Sequence, residues 1–270
     1  MIRALRTWLA IGCAILCAAC AQQGGRAGPD SSLLATQAQA AADNNTDARR
    51  RAKIRLELSV NYFQQKQLQT ALEEVRQAIA VDPNYADAYS FRALILFEIG
   101  ETRDANTDFQ KALSLAPQDP DINNNYGWFL CQTGEETKSI QYFVAAARNP
   151  LYQTPAKPMQ NAGICSMRVR DWRNAELYLI RSFELDQGNV ITVYNLSLMY
   201  MRTNDLERAG FYADRLNKMI EPTAESLWLA IRIAHKRNES AEKERLATQL
   251  RRRFLTSREW AAYLRGAFDE

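Results

Sequence analysis

Histidine is nearly absent. The 270-residue chain has one, His235, which leaves little for metal ligation or histidine-based acid–base chemistry. Glycine is scarce as well, 11 in all, with few clusters beyond Gly28, and this suits a chain of helices. No His-Glu-x-x-His, no Gly-x-Ser-x-Gly and no phosphate loop occurs. The common signatures of metalloproteases, serine hydrolases and nucleotide-binding enzymes are therefore missing. Neither sign of charge dominates. The formal net charge is +3, and Arg3 and Arg6 fall in a segment expected to be removed. The mature chain is close to neutral, and nucleic acid is not an expected partner. What remains is ordinary globular composition, 47% hydrophobic and 24% charged, with ample material for a core.

The first nineteen residues read as a targeting segment. Arg3 and Arg6 form a basic start. Trp8 to Leu16 is an apolar core of signal-peptide length, too short to span a bilayer. It ends in Leu16-Cys17-Ala18-Ala19-Cys20, which resembles a bacterial lipobox and implies lipidation at Cys20. Cys17 stands where that signal usually has leucine. Cys13 is a poorer acceptor because its apolar core is very short, and a plain secretory cut after Ala19 is the other alternative. Ala21, not aspartate, follows the cysteine. By resemblance to the lipoprotein sorting rule this implies the outer membrane, with the folded part in the periplasm. Residues 20–51 are rich in Gln, Ala, Gly, Ser, Asn and Asp. They read as a lipid-anchored flexible tether, with a lead-in helix in their later part.

From Ala52 the chain repeats. Pro83 and Pro117 sit 34 residues apart, Ala71 recurs as Ala105, and Ala78 as Ala112. Six repeats start near Ala52, Ala86, Pro120, Ala156, Val190 and Ala224. Their eighth place holds Ser59, Ala93, Gly127, Gly163, Ser197 and then Ile231. Twelve residues later come Ala71, Ala105, Ser139, Ala175, Ala209 and then Lys243. Small residues at these places let two helices approach closely. The period and pattern resemble the tetratricopeptide repeat. The resemblance implies an all-α, right-handed superhelical solenoid of about six repeats over 52–257. A terminal helix over 258–270 is expected to cap the last face through Trp260, Leu264 and Phe268. Between repeats three and four, residues 149–155 lengthen the loop by two.

In that repeat family the first helix of each pair lines the concave face. The register then gives two sets of candidates. Leu56, Val60, Phe63, Leu94 and Phe97 make the N-terminal groove apolar, as suits the burial of a partner's hydrophobic side chains. Leu58, Tyr62, Leu72 and Val75 are expected to fill the hairpin beneath. Asn125, Asn161 and Asn195 share the sixth place of their repeats. Each carries donor and acceptor together and can clamp a peptide amide. The alternative is three solvated polar side chains.

Cys131 and Cys165 are also 34 apart, on first helices of adjacent repeats. A disulfide is feasible if their Cβ atoms converge in an oxidising compartment. Two buried free thiols are the alternative. Lipobox, tether, six repeats, paired cysteines and the ending Tyr263-Leu264-Arg265-Gly266-Ala267-Phe268 together resemble the type IV pilus pilotins of the PilF/PilW family. That resemblance implies a non-enzymatic protein with no cofactor or metal. It implies a monomer that escorts pilus secretin subunits to the outer membrane and supports their multimerisation. A different outer-membrane scaffold, serving β-barrel assembly or cell-wall enzymes, is the second reading.

Overall fold

A computed structural model describes residues 31–150 and 152–269, with side chains from residue 46 onward. The targeting segment and Cys20 lie outside the described residues. Two compact units divide the chain, residues 1–44 and 45–270. Among the described residues there are thirteen helices and no strand. They are α1 (Ser31–Gln64), α2 (Leu68–Val81), α3 (Ala86–Glu98), α4 (Thr102–Leu115), α5 (Pro120–Gln132), α6 (Glu136–Arg148) and α7 (Ala156–Arg168). After these come α8 (Trp172–Leu185), α9 (Val190–Arg202), α10 (Leu206–Met219), α11 (Ala224–Lys236), α12 (Ser240–Arg253) and α13 (Arg258–Leu264). The second unit is an all-α repeat superhelix of successive helix pairs, closed by α13. Residues 45–51, which composition groups with the tether, are helical here and belong to this unit. Within it, Arg49 pairs with the buried carboxylate of Asp82 and donates to the Asn84 carbonyl at 3.1 Å.

The turns inside the pairs obey one rule. Lys66, Gly100, Gly134, Arg170, Asn204 and Asn238 all have positive φ, between 57° and 90°. Each sits where the first helix of a pair ends and the chain reverses. Gly and Asn adopt this left-handed backbone readily, whereas Lys66 and Arg170 do so at a cost of about 1 kcal/mol each. Among the described residues, turns between pairs lack this left-handed residue, while side-chain caps occur in both kinds of turn, at Asp171 and Asp205 inside pairs. Asp119, Asn189 and Thr223 cap the helices that follow them by accepting hydrogen bonds from their first backbone amides.

The recurring small residues mark the closest approach within each pair. Gly127 lies against the Phe143 ring, and a Cβ there would meet it at 2.9 Å. At Gly163 an added Cβ would stand 2.5 Å from Leu179 Cγ. Where the eighth place is serine, the hydroxyl is spent locally. Ser59 donates to the Ala71 carbonyl at 2.6 Å and Ser197 to that of Ala209 at 2.9 Å. Two larger cores result. One gathers Ala71, Val75, Ile95 and Phe109 toward the N-terminal end. The other gathers Leu179, Leu196, Leu216 and Ile231 toward the C-terminal end.

Three expectations are corrected. Leu58 faces outward, 39% exposed, so it does not fill the first hairpin. The last helix stops at Leu264, which is 68% exposed. The cap uses Trp260, Tyr263 and Phe268 instead, all packed on the C-terminal core. Phe268 reaches back to stack on His235 at 4.2 Å between centroids. Its backbone carbonyl accepts from Arg232 Nε at 3.1 Å.

Candidate functional site

The first helices of successive pairs stand side by side, and the apolar candidates lie along them. Leu56, Phe63, Leu94 and Phe97 are half-buried against the N-terminal core. Phe63 meets Phe91 edge-on at 5.5 Å, and Phe97 meets Trp128 at 5.3 Å and Phe129 at 5.4 Å. Each aromatic thus serves lateral packing between neighbouring repeats and keeps only part of its surface for a ligand. Leu56 and Val60 line a recess of about 220 Å³ together with Phe91, Ile122, Ser90 and Asn125. This recess brings together Leu56, Val60 and Asn125, whereas Phe63, Leu94 and Phe97 do not line it.

The asparagines do not form one continuous row. Asn125 donates weakly to Ser90 Oγ at 3.4 Å. Asn161 donates to the buried Asn124 Oδ1 at 3.0 Å. Asn195 turns its amide back to the Ile191 carbonyl of its own helix at 2.8 Å. Asn125 and Asn161 tie neighbouring helices together. Asn195 does not, so the three side chains are not equivalent despite their shared register.

Cys131 on α5 and Cys165 on α7 are joined by a disulfide, with Cα atoms 5.9 Å apart. Both are buried beside Phe143 and Ala162. The bridge therefore ties repeat three to repeat four beneath the groove and offers no thiol to a substrate. Among the described residues no group of His, Cys, Asp or Glu is placed to hold a metal ion. No helix there is long and apolar enough to cross a membrane.

Two features escape a search for apolar and amide residues. The first is acidic. Asp87, Asp119 and Asp121 border the recess of Leu56 and Val60. Asp87 is held above the usual carboxylate range, first by burial and then by the nearby Asp119 charge. Burial and Asp87 together push the Tyr85 hydroxyl up to about 12. The second is a cleft of about 740 Å³ between α6 and α8, lined by Val144, Met159, Leu177, Tyr178, Ile180 and Leu185. Leu177 is 59% exposed there. The lengthened loop contributes Pro150 and Tyr152 to its edge. That loop is held down, since Tyr152 donates through its hydroxyl to Asp121 Oδ1 at 3.0 Å. The repeat register signals the acidic pair, because Asp87 and Asp121 both occupy the second place of their repeats. The two-residue insertion and the outward Leu177 and Leu185 signal the cleft.

Comparison with known proteins supports the repeat assignment. Models of the tetratricopeptide repeat match residues 61–100, 86–119 and 109–141. The chain is 26% identical over 192 residues to the type IV pilus assembly protein PilF of Pseudomonas aeruginosa, covering 71% of this chain and 75% of that protein. The crystal structure of PilW, a widely conserved type IV pilus biogenesis factor, matches with a TM-score of 0.75 and 29% identity, over 79% of this chain and 98% of that one. A structure of Pseudomonas aeruginosa PilF shares the fold at a TM-score of 0.71 and 23% identity, over 82% of this chain and 99% of that one. Together with the helix pairs and their 34-residue register, these matches make the chain a tetratricopeptide-repeat protein whose relatives along most of its length are type IV pilus biogenesis factors.

Proposed function

We propose that the protein is a non-enzymatic outer-membrane pilotin of the type IV pilus. It binds secretin subunits in the repeat groove and promotes their localisation and multimerisation in the outer membrane. The observation that carries this reading is the likeness to PilW, which extends over 98% of that structure. The half-buried apolar residues along the first helices supply the grip, since apolar surface left on a concave face suits a partner's hydrophobic segment. A lipid on Cys20 supplies the address. Each acyl CH₂ buried in the bilayer contributes roughly 0.8 kcal/mol, so several chains on one residue anchor the protein stably.

The experiment is fractionation of cells carrying the wild-type chain, a Cys20→Ser chain or no chain. With the wild type, the secretin is expected in the outer membrane as heat-resistant multimers and co-purifies with the protein from detergent. With Cys20→Ser, the protein is expected in the soluble periplasm, and secretin multimers in the outer membrane fall sharply. Secretin multimers that form normally without the chain would overturn the reading. So would capture of β-barrel assembly or cell-wall components in place of the secretin.

A further inference from the structure

The apolar recess across the first three repeats carries an unbalanced charge. Asp87 lies in the first turn of α3, Asp119 caps α5 and Asp121 lies in its first turn. None of the three is in an ion pair among the described residues. Four basic side chains of this end pair with other carboxylates: Arg49 with Asp82, Arg55 with Glu74, Lys66 with Glu98 and Arg92 with Asp108. What the three carboxylates have instead is neutral donors. Asp119 accepts from the Ile122 amide at 2.9 Å and Asp121 from the Tyr152 hydroxyl, and the Tyr85 side chain lies near enough to Asp87 to act on its charge. Asp87 is held up by burial and by the charges of Asp119 and Asp121, which the neighbouring Arg49 only partly offsets.

Two chemistries could balance such a site, and the geometry separates them. A metal ion needs several carboxylates converging on one point, and none of the described acidic groups does this. An organic cation on an apolar stem has no such requirement. The recess has the shape for one: Leu56, Val60, Phe91 and Ile122 form apolar walls, and the carboxylates stand along them. A lysine or arginine side chain buries its methylenes on apolar surface and keeps its charged head among acceptors. The volume of about 220 Å³ admits a single long side chain and no folded element.

We propose that this recess receives a lysine or arginine side chain of a partner polypeptide, with an apolar neighbour of that residue seated against Phe63 and Phe97. The inference rests on the reading of the first helices as a polypeptide-binding groove, and it names the chemistry of the bound segment. Charge complementarity favours this occupant over a second copy of the chain, whose overall charge is nearly balanced, at 34 basic and 31 acidic residues.

The test is selection from a random 12-residue peptide library displayed on phage, against the full-length protein in detergent and against its Asp87→Asn/Asp121→Asn variant. Both substitutions preserve shape and one acceptor oxygen while removing the charge. Far-ultraviolet circular dichroism and the melting temperature verify folding. Wild-type selection is expected to enrich peptides with a basic residue beside an apolar one. Synthetic versions should bind the double variant at least about tenfold more weakly, and replacing their basic residue by norleucine should lose a similar factor. On the double variant the apolar preference should survive and the basic one vanish. Apolar peptides without basic enrichment would overturn the inference and leave the groove reading standing. Failure to select any peptide would overturn both. Concentration-dependent dimerisation of the wild type, abolished by the double substitution, would show that a second copy occupies the recess and would also overturn it.

Discussion

At the scale of single residues, the repeat is written in its smallest side chains. Gly163 is the tightest case. A Cβ there would lie 2.5 Å from Leu179 Cγ and 3.2 Å from the Leu179 backbone nitrogen. Backbone cannot swing aside as a side-chain tip can. At Gly127 the obstacle is the Phe143 ring at 2.9 Å, which can tilt. Gly163→Ala is therefore expected to destabilise by about 2–3 kcal/mol, from forced separation of α7 and α8. Gly127→Ala should cost about half as much. Urea denaturation of the two variants checks the order, and equal costs would mean that the pairs yield more easily than their packing suggests. Serine at the same place is a different solution. Ser59 and Ser197 are buried, yet each satisfies its hydroxyl on the facing carbonyl, which avoids the cost of an unpaired polar group.

At the scale of elements, the disulfide is the main departure from a uniform solenoid. It closes a span of 34 residues between α5 and α7. Constraining a loop of that length in the unfolded chain contributes roughly 3–4 kcal/mol in the chain-entropy model. The closed span also contains the lengthened loop, where the chain between α6 and α7 departs from the 34-residue step. A Cys131→Ser/Cys165→Ser protein is expected to melt several degrees lower. Hydrogen exchange should localise the loss to α5 through α8, with α11 and α12 little changed. Loss of protection spread evenly over all repeats would show that the bridge holds the whole stack and not one joint.

At the scale of the whole repeat unit, each pair touches mainly its neighbours, so an end must be covered. α13 covers the C-terminal one. Trp260, Tyr263 and Phe268 lie on the core of the last repeats, and Lys236 pairs with Asp269 at 2.9 Å. Cutting the chain after Ser257 should uncover Trp228 and Phe254 and leave an apolar face open. The truncated protein is expected to self-associate at micromolar concentration, as seen by light scattering. Its first three repeats should keep wild-type exchange protection, because stability in a stacked array passes between neighbours. A monomeric truncation of unchanged melting temperature would mean that α13 is ornamental to the fold and reserved for another surface.

The architecture was legible before any coordinates because a repeat announces itself through its period. Small residues at the eighth and twentieth places need no distant partner to be recognised, since each faces the other inside one hairpin. The helix pairs, the loop insertion and the terminal helix follow from that local rule. Outcomes that depend on contacts between repeats were not legible. Leu58 and Leu56 look alike as leucines near the start of the first repeat, yet Leu58 is exposed and Leu56 half-buried. Which one turns inward depends on where the second repeat settles against the first. Asn125, Asn161 and Asn195 share one register but not one environment, because only Asn125 and Asn161 find a side-chain partner on the neighbouring first helix. The acidic recess has the same origin. Asp87, Asp119 and Asp121 come from two repeats and the turn between them. Only stacking sets them along one apolar wall, where none of the three meets an ion-pair partner among the described residues. Local spacing decides the repeat, and the packing of one repeat on the next decides the chemistry of the surface it presents.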